Sequence, residues 1–265
     1  RSARRYARHP HLTQAGLHEL HLIAAQTDDD AMRLAALAHR AVTVMGNLKF
    51  DIAPPPAMLE LGGQLRDRFG AQRPLFLAAS TREGEELLLL DALQHADIEH
   101  LLTVIVPRHP QRFDEVAELI AQRGFRLQRR SRNEPIALDT QIVLGDSMGE
   151  MFAYYAACDI AFIGGSLLPL GGQNLIEACA VGKPVIVGPH TFNFAQATER
   201  ALACGAALRI PHANELVHQL NILLHDEERM KHMAQNGARF VCENRGATER
   251  AADLIDSVLR RHLGD

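Results

Sequence analysis

Apolar residues recur along the chain in two rhythms. Short, nearly unbroken apolar runs occur at "PLFLAAS" (74–80), "LLTVIV" (101–106), "IVL" (142–144), "IAFI" (160–163) and "VIV" (185–187). Between them lie longer segments whose apolar positions return every three or four residues: "EELLLLDALQ", "RFDEVAELIAQRG", "GEMFAYYAAC" and "GGQNLIEACAVG". Continuous runs without polar alternation suit strands buried on both faces, and helical spacing between them suits crossover connections. The alternation predicts an α/β fold, a parallel sheet covered by helices on both sides, with helices following the last run to the C-terminus.

Upstream the rhythm differs. Residues 1–40 read as helix, short strand, helix, with Thr27 as N-cap and Asp28, Asp29 and Asp30 in the first turn, where acids complement the helix dipole. "AVTVMG" follows as a strand ending at Gly46. Pro54, Pro55 and Pro56 cannot continue a strand or sit inside a helix, so they lead into a helix that closes near Gly70. A linker is expected near 46–56, separating residues 1–46 from 47–265.

Composition narrows the function classes. Hydrophobic residues make up 47% of the 265 and charged residues 23%, as in ordinary globular chains. The net charge of −4, with no Trp, three Tyr and ten Phe, speaks against nucleic acid and against an aromatic platform for single strands. Cys158, Cys179, Cys204 and Cys242 stand far apart in Ala- or Val-rich settings and are expected as buried free thiols. No run approaches the ~20 apolar residues that span a bilayer. The arginines at 1, 4, 5 and 8 read as a solvated helix face or a patch near anionic lipid.

Chemistry-bearing residues concentrate where the predicted strands end, which in open parallel sheets is where ligands bind. In "ASTREGEE" Ser80 and Thr81 close a strand, and Glu83, Glu85 and Glu86 enter a helix. The motif suits an anion at the helix start, or a Thr81 cap with dipole-stabilising acids. In "VPRHP" a strand delivers Arg108 and His109 to a corner stiffened by two prolines. Arg offers a bidentate phosphate contact and His a second donor; a plain polar turn reads equally well. In "LGDSMGEM" Gly145 and Gly149 admit a ligand to the backbone, while Ser147 and Glu150 have capping-box spacing. In "GGSLLPLGGQNLIEACAVG" glycines surround a helix start that carries Asn174 and Glu177. A carboxylate one turn in can accept both hydroxyls of a ribose.

Other motifs point nowhere. The DxD at 28–30 reads as capping, "HELH" at 18–21 has the wrong spacing for a zinc helix, and the GxGxxG and Walker A patterns are absent. Neither a metal nor a cofactor is expected.

Together, "GNLKFD", "AASTREGEE", "VPRHPQRF", "LGDSMGEM" and "FIGGSLLPLGGQNLIEACAVGKPVIVGPHTFNF" resemble the 3-deoxy-D-manno-octulosonic acid (Kdo) transferases of lipopolysaccharide synthesis, in order and over nearly the whole chain. The resemblance implies two Rossmann-like domains in the GT-B arrangement. It implies inverting, metal-independent transfer of Kdo from CMP-Kdo to the lipid A precursor, lipid IVA, on the cytoplasmic face of a Gram-negative inner membrane. On that pattern residues 1–46 are the end of the acceptor-binding domain and 47–265 the CMP-Kdo-binding domain, its final helices crossing back. The membrane anchor and the catalytic glutamate are then expected upstream of Arg1, the chain alone is expected to be inactive, and no catalytic residue is assigned. CMP contacts carry over onto Arg108, His109, Met148, Gly149, Glu150, Asn174, Leu175, Ile176 and Glu177, with Ser80 and Glu83 in a further motif facing the cleft. The family usually reads GGHNPLEP where this chain has Gln173, Leu175 and Ala178. Gln hydrogen-bonds without carrying a proton charge, and Leu restores an N–H that Pro lacks. Two other readings stay open: another GT-B enzyme, a UDP-GlcNAc transferase or epimerase, and a nucleotide-binding module without catalysis.

Overall fold

A computed structural model describes residues 5–263. The chain falls into two compact units, one formed by the chain up to Ile52 with the chain from Cys242 onward, the other by Ala53–Val241. Residues 47–52 and the segment from Cys242 group with the first unit, although the resemblance counts them within 47–265; it also has the final helices cross back.

In the first unit α1 (Pro10–His18), β1 (Ala24–Ala25), α2 (Asp28–Ala38) and β2 (Thr43–Val44) follow the expected order, with β1 and β2 parallel. Thr27 caps α2 as its spacing predicts, its side chain accepting from Asp30 N at 3.1 Å. The closing helix of the chain, α11 (Ala247–Leu263), starts against this unit because Asp51 supplies its cap from far away in sequence. The Asp51 carboxylate accepts the backbone N–H groups of Gly246 and Thr248; the hydrogen bond from the Thr248 side chain first, and these backbone N–H groups after it, hold its pKa below the usual aspartate range. Arg250 donates to Met45 O at 2.7 Å and Arg245 to Ile52 O at 2.7 Å. Of the N-terminal arginines, Arg5 and Arg8 are exposed, and Arg1 and Arg4 lie outside the described residues.

The second unit is a seven-stranded parallel sheet in the order β5-β6-β4-β3-β7-β8-β9. Its strands are β3 (Leu75–Thr81), β4 (Leu102–Pro107), β5 (Leu127–Arg129), β6 (Ile142–Leu144), β7 (Ile160–Ile163), β8 (Val185–Val187) and β9 (Ala207–Arg209). The connecting helices are α3 (Pro56–Phe69), α4 (Glu85–Leu93), α5 (Phe113–Gln122), α6 (Met151–Ala157), α7 (Ile176–Ala180), α8 (Ala195–Ala203), α9 (Ala213–Leu224) and α10 (Glu227–Glu243). All five predicted strands of this sheet are present. The two that the apolar pattern did not announce, β5 and β9, are the edge strands, three residues each and partly polar, as edges must be.

Phe76, Ile105, Ile142, Phe162 and Ile186 point to one face and pack with Leu89 and Leu90 of α4, Val116 and Ile120 of α5, and Leu216 and Leu220 of α9. Alternate residues turn to the opposite face, where α6 lies against β3 and α3 packs along α6. Gly62 makes that helix pair possible: a Cβ there would collide with Ala156 Cβ and stand 2.9 Å from Ala153 O. The thiols depart from expectation. Cys158 and Cys179 are buried, and burial pushes both up to about 12, but Cys204 and Cys242 are exposed at helix ends.

The chain runs outward from β3 through β4 to β5 and β6, then returns across β3 to β7. That reversal opens a crevice beyond the carboxyl ends of β3 and β7.

Candidate functional site

Three loops meet in that crevice, and glycine permits each approach. Gly164 follows β7 so closely behind β3 that a Cβ would stand 2.5 Å from Ser80 O and 2.6 Å from Thr81 Cα. Ser80 itself sits at φ 56, in the left-handed region that a non-glycine residue enters at a cost, and the β3–β4 register breaks between Ala79 and Thr81. Gly171 and Gly172, at φ 95 and 75, turn the chain back upon this loop. Gly172 N donates to Gly165 O (2.7 Å) and Gln173 N to Gly164 O (3.0 Å), while Gly171 O accepts from Asn193 N (2.9 Å). The double glycine therefore serves loop-on-loop packing, and neither residue lines the cleft it borders.

The cleft has a volume of about 350 Å³. Its walls come from the end of β3 (Ser80), the end of β4 and the residue after it (Val106 to Arg108), the loop into α6 with its first residue (Ser147 to Met151), the turn before α7 (Gln173, Asn174), Glu177 of α7 and Phe194. Tyr154 and Tyr155 form the buried floor, and burial pushes both phenols well above their usual range.

Seven of the residues singled out from the sequence line this cleft: Ser80, Arg108, Met148, Gly149, Glu150, Asn174 and Glu177. Four stand away from it. Glu83 and His109 are exposed outside the lining, and Leu175 and Ile176 are buried in the core at 1% and 0% exposure. Lining residues that the motifs did not single out are Val106, Pro107, Met151, Phe194 and the two tyrosines; apolar floor residues carry no chemical signature in a sequence.

The polar pairs on the walls are specific. Asn174 Oδ1 accepts from Ile176 N at 3.1 Å, satisfying a free N–H at the start of α7, and Asn174 Nδ2 donates to Glu177 Oε1 at 3.1 Å. α7 is only five residues long and begins at Ile176, so Glu177 is its second residue and not a full turn inside it. Burial raises the Glu177 pKa, against the lowering effects of the Asn174 hydrogen bond and the Arg108 charge. Opposite, Glu150 pairs with Arg130 at 3.1 Å and accepts from Ser147 Oγ at 2.6 Å, and Ser147 Oγ lies 2.6 Å from Tyr154 OH. Ser147 and Glu150 do not form the capping box their spacing suggests, because α6 begins only at Met151 and the two side chains bond each other. Thr81 is likewise no cap: it ends β3, its hydroxyl donates to Glu86 at 2.7 Å, and Gly84 precedes α4. Among the described residues no group of three or more His, Cys, Asp or Glu is placed to hold a metal ion, and no helix is long and apolar enough to cross a membrane.

The sheet order, the return across β3 and a polar cleft at the carboxyl ends are those of the GT-B glycosyltransferases. Residues 91–240 match the family of glycosyl transferases group 1, and HepE from Anabaena, solved with UDP and glucose, shares the fold at 17% identity and a TM-score of 0.60 over 94% of this chain and 67% of that one. Residues 1–52 match the 3-deoxy-D-manno-octulosonic-acid transferase (kdotransferase) family, and curated transferases of that name are 44% identical in Bordetella pertussis and 37% identical in Haemophilus influenzae. These alignments cover 89% and 99% of this chain, which spans 56% and 63% of the two relatives' lengths. The crystal structure of the C-terminal CMP-Kdo binding domain of WaaA from Acinetobacter baumannii matches at 32% identity and a TM-score of 0.67, over 70% of this chain and 98% of that one. The chain belongs to the Kdo transferase family.

Proposed function

We propose that this chain holds the CMP part of CMP-Kdo in its cleft and so serves the transfer of Kdo to the lipid A precursor, with inversion and without a metal ion, at the cytoplasmic face of a Gram-negative inner membrane, a transfer that the 265 residues alone do not carry out. The observation that carries the reading is the Asn174–Glu177 pair sharing one cleft with Arg108, in a chain 32% identical to the CMP-Kdo binding domain of WaaA.

Each group has work that suits its surroundings. The Glu177 carboxylate accepts ribose hydroxyls as charge-assisted hydrogen bonds, and Asn174 fixes its rotamer. Arg108 faces the phosphate; when the bond from the anomeric carbon to the phosphate oxygen breaks, its guanidinium stabilises the charge gathering on the departing CMP. Ser147 to Glu150 and the exposed Met148 side chain bound the base. Glu150 brings no uncompensated charge there, because Arg130 neutralises it.

Calorimetric titration with CMP, first in EDTA and then with Mg²⁺, tests the metal-independent part of this reading. Equal affinity in both is expected. Binding that needs Mg²⁺ would contradict it.

A further inference from the structure

Glu85 is 0% exposed at the first position of α4, yet it is neither part of the cleft nor paired with a cation in any ion pair of the described residues. A carboxylate is costly to bury unless its lone pairs are satisfied. Here backbone N–H groups satisfy them. Oε2 accepts from Arg82 N at 2.9 Å and from Gly165 N at 2.5 Å, and Oε1 accepts from Leu167 N at 2.9 Å. Two of these three donors belong to the loop after β7, about 80 residues downstream.

The outer side of that loop holds the site. Gly164 O and Gly165 O accept from Gln173 N and Gly172 N, and the next residue, Asn174, binds Glu177. A continuous chain of hydrogen bonds thus runs from Glu85 through Gly165 to Gly172 and Gln173, and from there along the backbone to the Asn174–Glu177 pair. We propose that Glu85 is the positioning residue of the nucleotide site: its carboxylate clamps the Gly164–Leu167 loop from beneath, and the clamped loop sets where Asn174 and Glu177 meet the ligand. The inference rests on the CMP reading of the cleft and deepens it.

Glu86 supplies the internal comparison. It is the next residue and equally buried, but its partners are Thr81 Oγ1 (2.7 Å) and Arg112 Nη1 (2.8 Å), and it accepts from no N–H of the Gly164–Leu167 loop. Glu85→Gln leaves one oxygen to serve two loop N–H groups and turns an NH₂ donor toward one of them; Glu86→Gln weakens the bonds to Thr81 and Arg112 and leaves both loop N–H groups with their acceptor.

The test measures CMP affinity by calorimetry well below the unfolding transition, in wild type, Glu85→Gln and Glu86→Gln. Glu85→Gln is expected to bind CMP about tenfold or more weakly, and Glu86→Gln to stay within about twofold of wild type even though it melts lower. Wild-type affinity in folded Glu85→Gln, or equal losses in both variants, would overturn the proposal. Amide exchange on the wild type gives a reading that needs no variant: saturating CMP is expected to slow exchange at Gly165 and Leu167, and unchanged rates would overturn the proposal as well. Failure of wild type to bind CMP would remove the reading of the cleft itself, a result distinct from any of these.

Discussion

Glu177 is pulled two ways. Burial favours its neutral form, while Asn174 and Arg108 favour the ionised one, and burial is the larger effect, so its pKa is raised. Only the carboxylate accepts from two ribose hydroxyls. CMP affinity is therefore expected to weaken as pH falls through the raised pKa, starting above the ordinary glutamate range; a titration of Kd against pH checks this. Glu177→Gln keeps the shape and removes the charge. Since hydrogen bonds to charged groups are worth roughly 1.5–3 kcal/mol, the variant is expected to bind CMP about tenfold or more weakly at an unchanged melting temperature. A lowered melting temperature with unaltered affinity would assign Glu177 to packing instead. Asn174 and Glu177 were legible in the sequence because three residues of spacing bring them together locally. Glu85 was legible only as a helix-start acid, since its two loop partners, Gly165 and Leu167, lie about 80 residues away. Glycines were misread in part: Gly171 and Gly172 stood out, but their contacts are with other loops and not with the cleft.

At the scale of elements, the glycine pair in α3 separates propensity from packing. Gly62 is buried against α6, where a Cβ would collide with Ala156; Gly63 is exposed, with nothing within 4 Å of an added Cβ. Gly63→Ala gains helix propensity and is expected to stabilise by up to about 1 kcal/mol. Gly62→Ala gains the same propensity but forces two helices apart, and overpacking of about 1–3 kcal/mol is expected to win. Urea unfolding of the two variants checks the opposite signs. The same distinction explains which elements could be read from the chain. Strands buried on both faces, such as β3 and β4, announce themselves as apolar runs, and Pro56 with Gly70 brackets α3. β5 and β9 could not be read, because Leu127–Arg129 and Ala207–Arg209 become strands only by pairing with β6 and β8. Helix α7 was overestimated: "GGQNLIEACAVG" has helical spacing throughout, but its first residues are committed to hydrogen bonds with the Gly164–Gly165 loop and cannot join the helix.

At the scale of the whole molecule, the strand order places the cleft at the carboxyl ends of the strands, so the fold decides where the ligand sits and the side chains decide which ligand it is. Gln173 stands on the cleft wall beside Asn174, next to the residues that would meet the nucleotide. We propose that this cleft takes a cytidine monophosphate in preference to a uridine nucleotide, and a side-by-side calorimetric titration of the 265-residue chain with CMP and with UDP decides between them. Weak, saturable binding of CMP, in the high micromolar range or above and tighter than that of UDP, is the expected result. UDP bound more tightly than CMP would contradict the account.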